Sequence, residues 1–372
     1  MTATAPHLHF MTLALRLAAK GRGQTSPNPM VGALVVKNGR IVGRGYHQGP
    51  GQPHAEILAL RQAGPRADGA TLYVTLEPCC HLLKRTPPCV PAVIQSGVRQ
   101  VVVAMIDPNR MVNGRGIAAM RRAGITVTTA VAQEEAAQLN RAYLHWTTTG
   151  HPYVILKAGM TLDGKVATAK GESRWITGPR ARQEAHRLRS QVDAVVVGIG
   201  TVLKDNPTLT ARLSDHPPKL APRQPLRVVL DSRLRTPPTA MVCAKQDQVK
   251  TLIVTTSRAS QSRRRSFERA GVEVVSIALK NGRVSFPALL TMLGKRGITS
   301  VLIEGGSTVN ASALRETLVN HVVLYLAPTL LGGQDAKGVI GDRSPKRLAQ
   351  ALALRRVMVR RIGVDLVVEG DL

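Results

Sequence analysis

The sequence predicts an α/β protein of two domains, each built on a largely parallel sheet with helices on both faces. Short apolar runs of strand length alternate with amphipathic stretches of crossover length along the whole chain. The 372 residues exceed what one hydrophobic core usually serves. A break at "TGHP" (149–152) ends a helical pattern over 133–147 just before a new strand, which sets the domains at 1–148 and 149–372.

In the first half the strands are expected at "VGALVV" (31–36), "ATLYVTL" (70–76), "RQVVVAMI" (99–106) and "GITVTTAV" (124–131). Each is rich in β-branched residues and bounded by turn formers. In the second half they are "YVILKAG" (153–159), "DAVVVG" (193–198), "LRVVLDS" (226–232), "KTLIVTT" (250–256), "VEVVSI" (272–277), "SVLIEGG" (300–306) and "HVVLYLAP" (321–328). "DHPPKLAPRQP" (215–225) is polar and Pro-rich and reads as an exposed loop. With 44% hydrophobic residues but only 3% aromatics, the cores must be made of Val, Leu, Ile and Ala.

No apolar run has the length of a transmembrane helix. The start, "MTATAPHLHFMTLALRLAAKGRG", lacks a basic n-region and has Arg16 inside its apolar part, so it reads as a surface helix rather than a signal peptide. A cytoplasmic protein is expected. Four cysteines are too few for a disulfide framework, and three of them, Cys79, Cys80 and Cys89, fall within eleven residues, which points to metal. The net charge of +28 is divided between the halves roughly by length, with 16 basic and 6 acidic residues in 1–148 and 35 and 17 thereafter. It forms no basic tail, and clusters such as "SRRRSFER" (262–269) read as solvated faces. Nonspecific adhesion to polyanions at low salt is expected, without a specific nucleic-acid function.

The chemistry of the first half starts at "QPHAEILAL" (52–60), where His54 and Glu56 stand two apart at the head of an apolar helical stripe. By itself the triplet reads as a solvated helix start. Pro78-Cys79 and Pro88-Cys89 downstream change that reading. A catalytic zinc takes three protein ligands and keeps one position open, and His54, Cys79 and Cys89 supply that count. Thiolates at helix starts are favoured by the helix dipole. Glu56 can then approach the activated water without ligating the metal and act as general acid and base. This matches the zinc deaminase pattern, except that the two cysteines are not two residues apart.

"TSPNPMVGALVVKNGRIVGRGYHQGPGQPHAE" (25–56), "YVTLEPCCH" with "RTPPC" (73–89) and "DPNRMVNGRG" (107–116) resemble the deaminase half of the bifunctional deaminase–reductases of riboflavin biosynthesis, in which a longer loop separates the cysteines. The chain departs from that pattern in the loop 81–86, which is one residue longer and lacks a glycine. It also departs at Arg110, where proline is usual, and at His7, where aspartate is common. The longer loop leaves Cys80 with the spacing to Cys89 that the first ligand should have. Cys79 is favoured because it directly follows Glu77-Pro78.

"LKAGMTLDGKVATAKGESRWITGPRARQEAHRLRSQVDAVVVGIGTVLKDNPTLTAR" (156–212) resembles the reductase half of the same family almost without gaps. Its Gly-containing strand-to-helix turns, "VVVGIGTVLKDNP" and "VLIEGGSTVNASAL", suit a phosphate group. Neither is a Rossmann fingerprint. Arg189 and Arg212 are cations able to clamp a phosphate.

The resemblance implies an N-terminal cytidine-deaminase-like α/β/α domain holding one zinc ion, and a C-terminal dihydrofolate-reductase-like domain using NADPH. It implies substrate contacts from Lys157, Ser173, Arg189, Leu209, Arg212 and Glu304. NADPH contacts would come from Gly159, Trp175, Thr201, Asp205, Ser232 and the turn Gly306, Ser307, Thr308, Val309, Asn310, Ala311, Ser312. The expected activity is hydrolytic deamination of a phosphorylated diaminopyrimidinone, then NADPH reduction of its ribosyl to a ribityl chain. A homo-oligomer is compatible with the sequence. Two rival readings are a polynucleotide deaminase, disfavoured by few aromatics in 1–148, and a reductase whose longer loop has cost it zinc.

Overall fold

The computed structural model describes residues 5–81, 86–213, 222–280, 282–342 and 344–372. Residues 82–85 of the lengthened loop and most of the Pro-rich stretch 215–225 fall outside them. The chain divides into two compact units, Met1–Gly150 and His151–Leu372. The helix Arg141–Thr149 ends on Gly150, whose φ of 75° is the left-handed conformation that glycine adopts without penalty.

The first unit is a five-stranded sheet in the order Arg40–Tyr46, Gly32–Lys37, Thr71–Val74, Gln100–Val103, Thr126–Thr128. The last three strands run parallel; the first two form an antiparallel hairpin, and Gly32–Lys37 is also antiparallel to Thr71–Val74. The parallel expectation fails on that side because Asn38 and Gly39 both take positive φ, 49° and 73°, and close a two-residue turn. Side chains alternate between the faces, as strand geometry requires. Ala33, Val35, Leu72 and Val101 pack under the helices Ala55–Ala63, Cys89–Gln95 and Arg115–Arg122. Leu34, Val36, Tyr73 and Val102 pack against Met11, Ala14 and Ala136 on the opposite face. The result is a three-layer α/β/α unit.

The helical pattern over 133–147 is broken into Gln133–Leu139 and Arg141–Thr149. Asn140 lies between them, 2% exposed, and its carboxamide accepts from the Met30 N–H at 2.8 Å and donates to the Met30 carbonyl at 3.0 Å. Pairing with a distant backbone outweighs continuing the helix.

The second unit carries a nine-stranded sheet ordered Glu273–Ser276, Thr251–Thr255, Leu226–Leu230, Ala194–Gly198, Ser300–Ile303, Tyr153–Thr161, His321–Ala327, Asp365–Asp371, Arg355–Ile362. The first seven strands are parallel, and the two C-terminal ones are added antiparallel. Parallel strands must be covered on both faces, which is why "DAVVVG" and "SVLIEGG" read as unbroken apolar runs. No helix of the described residues is long and apolar enough to cross a membrane.

The helix that begins beside His54 lies directly on the hairpin. A Cβ on Gly43 would stand 2.1 Å from the Ala59 carbonyl oxygen, and one on Gly45 2.4 Å from that of Ala55. Gly43→Ala should therefore lift the helix Ala55–Ala63 and cost about 1–3 kcal/mol as overpacking does. Thermal unfolding of the full chain should show a lower midpoint for the first unit; an unchanged melt would contradict this close contact.

Candidate active sites

His54 is the residue immediately before the helix Ala55–Ala63, with extended backbone (φ −74°, ψ 162°). This places its ring beyond the helix end while Glu56 sits in the first turn. Cys79 follows the strand Thr71–Val74, and Cys89 opens the helix Cys89–Gln95. The Cys79 carbonyl accepts the N–H groups of Cys89 and Val90 at 3.0 and 3.2 Å, so the two cysteines are fixed to each other through backbone. His54 Nδ1 lies 3.5 Å from Cys79 Sγ and 3.3 Å from Cys89 Sγ, and the three donor atoms all fall within 4.8 Å of one another. Two thiols and an imidazole facing one point suit zinc in both donor type and number. His54 Nε2 makes its own contact, 3.1 Å from Thr86 Oγ1. Orientation of a ligand histidine through its other nitrogen is a usual supporting device.

Glu56 is 3% exposed, and its Oε2 has no hydrogen-bond partner among the described residues. Burial first, and then the adjacent Cys79, pushes its carboxyl above the usual carboxylate range. A buried acid with one unmatched oxygen beside a metal-type cluster is able to hold and release a proton. Cys80 points elsewhere: its Sγ lies 3.8 Å from the Met111 carbonyl and outside the cluster. Sequence reasoning passed over His47, whose ring stands 5.2 Å from that of His54 and whose Nε2 is 3.0 Å from Asn28 Nδ2. It also passed over the buried carboxylate of Glu77. "NPM" and "GYHQG" offered a polar signal at Asn28 and His47, but no spacing rule joins residues nineteen apart.

In the second unit a cavity of about 1590 Å³ opens at the carboxyl ends of the parallel strands, where open α/β sheets bind ligands. Lys157, Ser173, Arg189, Leu209, Arg212 and Glu304 all line it, as do Gly159, Trp175, Thr201, Asp205 and Ser232. The turn from Gly306 to Ser312 lines it too, except Ala311, which is 2% exposed on the core side of the helix Ser307–Arg315. That helix has Gly306 at its start and no side-chain cap, which leaves its end open to a phosphate. Asn310 is 1% exposed; its Nδ2 donates to the Val339 carbonyl at 2.9 Å, while Oδ1 has no partner among the described residues. A dinucleotide fits this cavity in size and in the groups it offers.

The two arginines are not equivalent. Arg189 directs Nε and Nη2 to the two oxygens of Glu304 at 2.6 and 2.9 Å, and its Nη1 to the Thr210 carbonyl at 3.1 Å. Lys157 Nζ is 3.6 Å from the same carboxylate. Burial alone would raise Glu304, but Arg189 and Lys157 hold it down at about 2. Arg212 is instead braced by the hydroxyls of Thr208 and Thr210 at 2.6 and 2.8 Å and has no acidic hydrogen-bond partner among the described residues. The fork of Arg189, by contrast, is committed to Glu304. His186, overlooked in the sequence, stands between them with Nδ1 3.1 Å from the Thr210 carbonyl and Nε2 3.2 Å from Arg212 Nη2. Donation from Nδ1 and acceptance at Nε2 require the neutral ring. Burial, then Arg189 and Arg212, lowers its pKa to about 4.

Together the two units define a class of protein, a zinc deaminase joined to a nucleotide-dependent reductase. Residues 152–368 match the RibD C-terminal domain, and residues 4–105 the cytidine and deoxycytidylate deaminase zinc-binding region. The riboflavin biosynthesis protein RibD of Actinobacillus pleuropneumoniae is 42% identical over 98% of this chain and 95% of its own length. That of Escherichia coli K12 is 42% identical over 96% and 97%. The structure of Acinetobacter baumannii RibD (form 1) superposes with a TM-score of 0.89 at 38% identity, covering 99% of both chains. A Thermotoga maritima diaminohydroxyphosphoribosylaminopyrimidine deaminase/5-amino-6-(5-phosphoribosylamino)uracil reductase gives 0.85 at 36% identity over 98% of both. The chain belongs to the bifunctional deaminase–reductase family of riboflavin biosynthesis. Its first unit has the cytidine-deaminase-like fold and its second the dihydrofolate-reductase-like fold, and zinc and NADPH are the cofactors of the two activities.

The lowered pKa of His186 has a measurable sign. The fold favours the neutral ring, so this contribution to stability is full above the unfolded value of 6.5 and is lost as pH falls toward about 4. Between those limits acidification should lower the melting midpoint of the second unit more in the wild type than in His186→Gln. Parallel midpoints across that range would refute the assignment.

Proposed function

We propose that His54, Cys79 and Cys89 hold the zinc, that Glu56 moves the protons, and that the cavity of the second unit binds NADPH beside the phosphorylated product of the first. The observation that carries this reading is the His–Cys–Cys cluster closed around one point, with an unmatched buried carboxyl oxygen next to it. Zinc, when bound, supplies the Lewis acidity that makes water a nucleophile near neutral pH. Glu56 would take up the two protons of the attacking water in turn, passing one to the ring nitrogen and the other to the departing amino group. The balanced change is water plus a 2-aminopyrimidinone giving a 2-oxo ring and ammonia.

In the second unit NADPH supplies the hydride. Lys157 and Glu304 orient the ribosyl group from the floor of the cavity, and Arg212 meets the 5′-phosphate. Arg189 acts chiefly by keeping Glu304 charged and fixed. The substrate is a small phosphorylated pyrimidine, and the +28 charge gives only salt-sensitive adhesion to nucleic acid. A reducing cytoplasm keeps the two thiolates available.

Metal analysis of the full chain should give one zinc, lost in Cys79→Ser together with deamination and retained in Cys80→Ser; the reverse pattern would move the ligand by one residue. Glu56→Gln should keep zinc while deamination falls at least about 10²–10⁴-fold. Near-normal turnover in a zinc-replete Glu56→Gln chain would end the role given to Glu56.

The arginines separate in a different assay. Arg212→Ala should cut the kcat/KM of reduction roughly ten- to a hundredfold through one lost charged hydrogen bond, with the melt unchanged. Arg189→Ala should also destabilise the second unit, by about 3–5 kcal/mol, because it strips most of the compensation from a buried carboxylate. Equal melts for both variants would show that Glu304 does not depend on Arg189.

A further inference from the structure

Glu77 is 3% exposed and stands two residues before Cys79. Both of its carboxylate oxygens are used twice. Oε2 accepts the N–H of Asp107 at 3.3 Å and of Gly114 at 2.8 Å, and Oε1 those of Gly116 at 2.9 Å and Ile117 at 3.2 Å. These donors come from the loop after the strand Gln100–Val103 and from the first turn of the helix Arg115–Arg122. The next residue is pinned by shape: a Cβ on Gly116 would stand 2.3 Å from the Pro78 carbonyl oxygen. The one after that is pinned from the other side, since the Cys79 carbonyl accepts the N–H groups of Cys89 and Val90.

Glu77-Pro78-Cys79 is thus a three-residue strut held between the starts of two helices, one of which begins with Cys89. We propose that Glu77 is a positioning residue for the metal centre: by gripping the Arg115–Arg122 side of the strut it fixes where Cys79 Sγ stands relative to Cys89 Sγ and His54 Nδ1. This rests on those three residues being the zinc ligands. Glu77 touches neither metal nor substrate; it acts through Cys79. No other side chain of its length can replace it. A glutamine has one oxygen where two are needed, and in either orientation its NH₂ faces two N–H donors. Supporting groups of this kind govern metal affinity because they set ligand direction before the metal arrives.

The test uses the full chain with zinc exchanged for cobalt(II), whose visible absorption reports ligand geometry, together with competition against a chelator. Glu77→Gln should bind zinc roughly 10–100-fold more weakly and should shift or weaken the cobalt bands. The NADPH-dependent half-reaction, measured on the same preparation, should be unchanged. Glu77→Asp keeps both oxygens on a shorter arm and should fall between the two in chelator competition. A Glu77→Gln chain with the wild-type cobalt spectrum and wild-type chelator competition overturns the proposal. If Glu77→Gln loses the melt of the first unit, Glu77→Asp decides: altered cobalt bands with an intact melt support positioning, and wild-type bands overturn it. Retention of zinc by Cys79→Ser would instead sink the ligand reading beneath it.

Discussion

A carboxylate removed from water must meet donors or take up a proton, and three buried glutamates of this chain answer that constraint in three ways. Glu304 meets cations: Arg189 grips it with two parallel hydrogen bonds and Lys157 stands behind, so it remains a charged anchor on the cavity floor. Glu77 meets backbone, four N–H groups from one loop and one helix start. Glu56 meets neither in full, and one of its oxygens has no partner among the described residues. The first two arrangements give rigidity. The third gives a group whose proton can move, and it is the one beside the His–Cys–Cys cluster.

The His–Cys–Cys cluster was legible in the sequence because each piece is local. His54 and Glu56 lie on one helix start, and each cysteine follows a proline, so spacing alone brought them to attention. Cys79 is favoured over Cys80 in the sequence because it follows Glu77-Pro78, and the structure turns Cys80 toward the Met111 carbonyl while Cys79 joins His54 and Cys89. The reductase cavity was legible only through resemblance, since its lining is gathered from the ends of five parallel strands far apart in the chain. The bidentate pairing of Arg189 with Glu304 joins residues 115 apart, and nothing in either neighbourhood announces it. From sequence, Arg189 and Arg212 look like equal phosphate clamps; only the fold shows that Arg189 is occupied by an acid while Arg212 has none among the described residues. The hairpin Gly32–Tyr46 was missed although Asn38-Gly39 is a strong turn signal, because the glycines at 43 and 45 weaken the strand pattern. Those glycines are there to let a helix approach, a tertiary cause that propensity does not carry.

The charge of +28 becomes intelligible once its arginines are located. Arg227 is 1% exposed and spends its guanidinium on the carbonyls of Ala244 and Val249 at 2.8 and 2.6 Å. Arg355, Arg356, Arg360 and Arg361 stud the outermost strand of the nine-stranded sheet. Arg356 pairs with Asp371, and Arg360 with Glu184 and Glu369. That strand also exposes Val357, Met358 and Val359, a row that would otherwise invite another edge to pair with it, and charge on an edge is a common guard against such pairing.

The positive field that remains acts at a distance on whatever carries phosphate. Both activities of this family concern a pyrimidine that keeps its 5′-phosphate from one step to the next, and NADPH adds three phosphates more. A surface that draws all of these ligands toward the chain does not need to distinguish them. Selection would fall to the sites, where among the described residues Arg212 has no acidic partner, the helix Ser307–Arg315 has no side-chain cap, and Arg189 is held by Glu304.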